Sequence, residues 1–201
     1  MKKMISLLLV MLMSVSMLAL AGCSGNENNG GGGSNTEPDA PAIESAPAFY
    51  TDVWAKFAED DKFPSGGGDA EHSMEDGPGQ FLLTEENAES FKYLLHVTDE
   101  LYDMLEDDVS TLQHMMNTNT FCSAVAKLKD PSKAAEFAED YKTAIQGQRW
   151  MCGFPDKVVV ISVGDYVVMA YGLEDNINNL VAACSAVEES ATVLIDAPAE
   201  A

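Results

Sequence analysis

The sequence predicts an α+β domain: a four-stranded, antiparallel-rich sheet from two strand-strand-helix units, with helices packed on it and further helices before it. Three observations carry this. The β-rich runs Val158–Val163 and Tyr166–Tyr171 are separated only by Gly164-Asp165, a hairpin signature in which a leading Gly suits a type II′ turn. Apolar residues recur at three and four through Ala134, Phe137, Ala138, Tyr141 and Ile145, and again through Ile177, Leu180, Val181, Cys184 and Val187. Each of these helical stripes follows a pair of strand-like runs.

The elements follow in chain order. Lys2 and Lys3 lead an apolar run from Met4 to Leu20, and Leu20-Ala21-Gly22 precedes Cys23. A charged start, an apolar middle and small residues before the cut define a secretory signal peptide over residues 1–22. Cys directly after Leu-Ala-Gly makes it the lipoprotein kind, so Cys23 is the expected lipidation site, by palmitate or a related acyl chain. The apolar run is shorter than the roughly 20 residues of a membrane span. Residues 23–48, rich in Gly, Asn and Ser with glycine unbroken from Gly30 to Gly33, read as the lipidated Cys and a disordered tether. Residues 49–195 read as one domain, and 196–201 as a frayed tail.

Within the domain, Val53, Trp54 and Phe57 predict a helix over Tyr50–Ala58, capped by Asp52 or residues before it. Glu59 to Gln80, broken by Gly66-Gly67-Gly68 and Gly77-Pro78-Gly79, reads as a long loop. Its Asp69, Glu71, His72, Glu75 and Asp76 form either a solvated acidic surface or a cation site, although EF-hand spacing is absent. Thr84-Glu85-Glu86 is a helix start. Phe91, Leu94, Leu95, Thr98, Leu101 and Tyr102 then give one continuous apolar face, with His96 just off it. Val109–Met116 and Thr120–Leu128 read as strands about a turn at Asn117-Thr118-Asn119. Met115 and Met116 are expected as core fillers. Asp130-Pro131 opens the next helix, Asp as N-cap and Pro in the first turn.

Composition bounds function. The chain carries 33 acidic against 11 basic residues, a formal charge of −22, and loss of Lys2 and Lys3 with the leader takes it to −24. Nothing in such a surface neutralises phosphates, so nucleic acid is excluded as a partner. The same charge opposes flat contact with an anionic bilayer and leaves a soluble, acidic surface. Besides Cys23 there are Cys122, Cys152 and Cys184, with no CxxC and no His at metal-ligand spacing, so no metal site and no cofactor are expected. Cys122 and Cys152 are the candidate disulfide, since each lies near the start of a strand and a crossover helix would bring the two starts to one end of the sheet. Three reduced thiols are the alternative.

Part of the chain resembles a known family. Leu101-Tyr102 before Asp107-Asp108-Val109, the alanine-rich helix ending near Ile145-Gln146, and Lys157-Val158-Val159-Val160 followed by Gly164-Asp165-Tyr166-Val167 are similar to the pattern of bacterial lipoproteins carrying the DUF4358 domain. The likeness covers roughly Leu101 to Ala183, and the lipidation motif and polar tether agree with it. The Glu59–Gln80 loop and Arg149-Trp150-Met151-Cys152 depart from it. The resemblance implies a cell-surface accessory protein with no assigned catalytic residue, in a family associated with envelope O-acyltransferases.

Together these readings give a lipid-anchored cell-envelope protein at the extracytoplasmic face of the cell membrane. It is expected to be a non-catalytic binding or accessory module, with an envelope protein or an anionic ligand as partner. Alternatives are a role accessory to envelope polymer O-acylation, and an extracellular enzyme whose nucleophile and base meet only in space. The candidate contact is Arg149, the only arginine, with Trp150 and Phe154 beside it. Trp and Arg are the side chains most enriched at binding hot spots. The competing reading has Trp150 and Phe154 closing the core while Arg149 pairs with a carboxylate.

Overall fold

The computed structural model describes residues 43–200. The leader, Cys23 and the tether up to residue 42 lie outside them, as does Ala201. The elements are α1 (Ala46–Ala55), β1 (Ser65–Gly67), β2 (Met74–Glu75), β3 (Gly79–Gln80), α2 (Ala88–Leu95) and α3 (Asp99–Asp103). Then come β4 (Leu105–His114), β5 (Phe121–Leu128), α4 (Ala134–Gln146), β6 (Lys157–Val163), β7 (Tyr166–Gly172), α5 (Glu174–Val187) and β8 (Thr192–Pro198).

The α+β class holds, but the sheet has eight strands rather than four. They run in the order β2-β1-β4-β5-β7-β6-β8, with β3 also paired to β4, and every pairing is antiparallel. The two predicted hairpins form its centre. Gly164 takes φ +57° at the first turn position between β6 and β7, a conformation that L side chains avoid.

Handedness explains the layering. β5 and β6 are parallel, flank β7, and are joined through α4; β7 and β8 are parallel, flank β6, and are joined through α5. Both connections step the same way across the sheet, but they leave from strands of opposite direction. Right-handed crossovers therefore send the two helices to opposite faces. On one face Phe137, Tyr141 and Ile145 of α4 pack with Ala124, Val160 and Met169, alongside Phe91 and Leu95 of α2. On the other, Ile177, Leu180 and Cys184 of α5 and Tyr50 and Val53 of α1 pack with Val125, Val159 and Val168. A sheet covered on both faces needs apolar residues of both parities, which is why Val158–Ile161 is an unbroken apolar run.

Several boundaries differ from expectation. The first helix begins at Ala46, inside the expected tether, because Ser45 caps it by accepting from the Ala48 N–H at 3.3 Å. Asp108 fixes this start to the sheet: its carboxylate accepts from the Ala46 N–H at 3.0 Å and from the Tyr166 hydroxyl at 2.7 Å. The single helix read from Thr84 to Tyr102 is two, because His96 at φ +55° ends α2 and the Thr98 hydroxyl caps α3. The expected loop holds β1–β3. A Cβ at Gly67 would meet the Thr111 carbonyl oxygen at 2.1 Å, so only glycine lets this strand approach β4 so closely. The expected frayed tail is strand through Pro198. Asp196, Ala197 and Pro198 pair with Val159, Val158 and Lys157, and Ala199 is buried.

Candidate functional site

One end of the sheet gathers the turn between β4 and β5, the loop between α4 and β6, and the start of α5. Two asparagines organise it. Asn117 folds its own turn, its side-chain oxygen accepting from the Asn119 N–H at 3.0 Å. Its amide then donates to the Cys152 carbonyl at 2.7 Å. The Asn119 amide donates to the carbonyls of Met151 and Gly153 at 3.1 and 3.2 Å. These bonds hold Cys152 at φ +61° and Gly153 at φ +151°, reversing the chain between Trp150 and Phe154. The Leu173 N–H donates to the Thr120 carbonyl at 2.9 Å, bringing the α5 start to the same turn.

The same end of the sheet carries apolar side chains in water. Met74, Met115, Met116, Met151, Phe154 and Leu173 are between 39% and 79% exposed, and they are six of the eight exposed large apolar residues among those described. Met115 and Met116 are therefore surface residues, not core fillers: β4 ends at His114, and both side chains fall on the turn beyond the sheet. Met115 stands over Gly66, beside the Met74 backbone. Isolated exposed apolar residues are ordinary, but six of eight at one end of the sheet single that end out as the candidate interaction surface.

The residues predicted for contact divide. Arg149 is exposed and has no ion pair among the described residues. Trp150 turns inward onto the core, its ring 5.1 Å from His96 and 5.2 Å from Tyr171. Phe154 turns outward and does not close the core. The methionines beside it were missed, because a methionine in a strand-like run reads as core.

The candidate disulfide is not formed. Cys122 is buried on the α4 face, where its thiol donates to the Leu94 carbonyl at 3.4 Å, while Cys152 is exposed on the loop. Burial pushes the Cys122 thiol up to about 12, and the Cys184 thiol likewise to about 12. Neither is a thiolate near neutral pH, so neither is poised as a nucleophile. Burial also lowers the His96 pKa, keeping its ring neutral.

The acidic loop is organised from within. Asp69 is buried, and its Oδ1 accepts from the Glu71 and His72 N–H groups, both at 2.9 Å. The His72 ring nitrogen Nδ1 lies 2.8 Å from the same oxygen, and Oδ2 accepts from the Leu82 N–H at 2.9 Å. Burial works to raise its pKa, but these hydrogen bonds outweigh it and hold the carboxyl below its ordinary value. Asp69 thus serves as the loop's internal fastener. Among the described residues no group of three or more His, Cys, Asp or Glu is arranged to hold a metal ion.

The charged residues that neighbour the exposed apolar residues along the chain are mostly acidic. Glu75 follows Met74, Glu174 and Asp175 follow Leu173, and Asp156 lies two residues past Phe154, all exposed. Asp156 accepts from the Glu174 N–H at 3.0 Å, which sets its carboxylate at the start of α5. Lys157 is engaged by Asp196 and Asn178. Comparison of the chain with protein-family models, curated proteins and solved structures finds no match.

Proposed function

We propose that this chain is a non-catalytic binding module of the cell surface. Acyl chains on Cys23 tether it to the extracytoplasmic face of the membrane, and the methionine-rich end of its sheet captures an envelope protein. The six exposed apolar side chains at one end of the sheet, with the Asn117 and Asn119 hydrogen bonds that fasten the Met151 backbone there, carry this reading. Methionine is flexible and polarisable, and is favoured where a surface must adapt to a partner. The leader ending in Leu20-Ala21-Gly22-Cys23 supports the anchor. No helix among the described residues is long and apolar enough to cross a membrane. The likeness to DUF4358 lipoproteins supports an accessory role, with envelope acylation as the process served.

Two measurements test this. Fatty-acid labelling should mark the protein and disappear in Cys23→Ala; labelling that survives removes the anchor. A photo-crosslinking residue at Met151 should join the anchored protein to one envelope protein in its own cells, and the same residue at Thr143, on the exposed side of α4, should not. Equal capture from both positions removes the sheet end as the contact.

A further inference from the structure

We infer that peroxide switches this surface off: it converts Met116 and Met151, and then Met74 and Met115, to their sulfoxides, and the envelope partner is released while the domain stays folded. This deepens the binding reading above and rests on it. Methionine is among the residues most often fully buried. Of the six methionines among the described residues, only Met169 is fully buried, and Met104 packs against the core on the α4 face. The other four are 54–79% exposed and belong to neither core. Met115 and Met116 open the β4–β5 turn, and the Met116 N–H donates to His114 Nδ1 at 3.1 Å. A Cβ at Gly66 would meet the Met115 sulfur at 2.6 Å and the Met74 carbonyl oxygen at 3.4 Å, so the Met74 backbone lies beside that sulfur. The Met151 carbonyl is held by the Asn119 amide of the same turn. None of these hydrogen bonds uses a methionine sulfur, so oxidation leaves them intact.

Hydrogen peroxide is neutral, so a chain of charge −22 does not repel it. Its O–O bond breaks, one oxygen bonds to the thioether sulfur, the sulfur gives up two electrons and water leaves. The product is a polar, chiral side chain in place of a flexible apolar one, and this disrupts methionine-rich interfaces. Access sets the order. Met116 and Met151 are the most exposed of the four, the Met115 sulfur is shielded on one side by Gly66, and Met74 is the least exposed. The thioether returns when a sulfoxide reductase passes two electrons from a pair of thiols to the sulfoxide and its oxygen leaves as water.

The test uses the lipidated full chain in membranes of its own cells, with a photo-crosslinking residue at Phe154, which leaves all four methionines in place. Cys152→Ser in every sample removes thiol oxidation as a cause. Under hydrogen peroxide, peptide mapping should find sulfoxide at Met116 and Met151 first, at Met74 and Met115 next, and none at Met169. Capture of the partner should fall at least about tenfold, the loss expected when one buried apolar side chain stops contributing. The melting temperature of the oxidised chain in nanodiscs should stay within about 2 °C of the untreated one. A variant carrying Met74→Leu, Met115→Leu, Met116→Leu and Met151→Leu stays apolar, is inert to peroxide and should keep its capture. Sulfoxide at Met169 as early as at Met116 overturns the order. Undiminished capture by the oxidised wild type, or an equal loss in the leucine variant, overturns the switch and leaves the binding surface standing. A fall in melting temperature of more than about 5 °C means that oxidation unfolds the domain, and overturns it too. No capture from Phe154 before peroxide removes this loop as the contact and the switch with it. The binding reading itself stands or falls on the comparison of Met151 with Thr143.

Discussion

Asp69→Ala should destabilise the domain by about 3 kcal/mol. The carboxylate is buried and accepts four hydrogen bonds at 2.8 to 2.9 Å. A hydrogen bond to a charged group contributes about 1.5–3 kcal/mol, but these do not add, since three share one oxygen and two come from His72. The Leu82 N–H, bound through Oδ2, loses its partner outright. For a domain of this size the change corresponds to a fall in melting temperature of roughly 6–12 °C. Asp69→Asn keeps the shape and loses the charge, and should cost about half as much. The pH dependence supplies the sign. A carboxyl whose folded pKa lies below its unfolded value of about 3.9 adds stability that is complete above that value and vanishes as pH falls through the folded one. The advantage of the wild type over Asp69→Asn should therefore be constant from pH 7 to about 5 and shrink below about 4. Urea unfolding across this range measures it. A loss below about 1 kcal/mol for Asp69→Ala, or a wild-type advantage over Asp69→Asn unchanged at pH 3, would refute the fastener role.

Two further outcomes follow from the thiols and the last strand. In the native protein Cys152 should alkylate within minutes, while Cys122 and Cys184, buried with thiols pushed up to about 12, stay protected even at pH 9; equal labelling of all three by mass spectrometry contradicts the packing. Ending the chain at Ile195 removes three β6 partners, the Gln146 bond to the Pro198 carbonyl and the buried Ala199. Stability should then fall by about 2–4 kcal/mol, with faster proteolysis near β6, and an unchanged urea midpoint would show that the tail contributes nothing.

What could be read along the chain was short in range. Gly164-Asp165, Asp130-Pro131 and the stripes of α4 and α5 act over a few residues, so the central hairpins and both long helices were visible before any packing was known. Strands that exist only through a distant neighbour were not. β1 and β3 are Ser65-Gly66-Gly67 and Gly79-Gln80, with no propensity of their own, and they form because glycine lets them lie against β4. Asp196–Pro198 reads as a tail until the open edge of β6 supplies its hydrogen bonds. The candidate site divides in the same way. Arg149, Trp150 and Phe154 are conspicuous in the sequence, but the left-handed backbone at Cys152, held by Asn117 35 residues away, sends Trp150 into the core and Phe154 into water. Met115 and Met116 carry the hydrophobicity of core residues. Only the position of the turn, one residue beyond the last strand pair, puts them on the surface, with Met115 over Gly66.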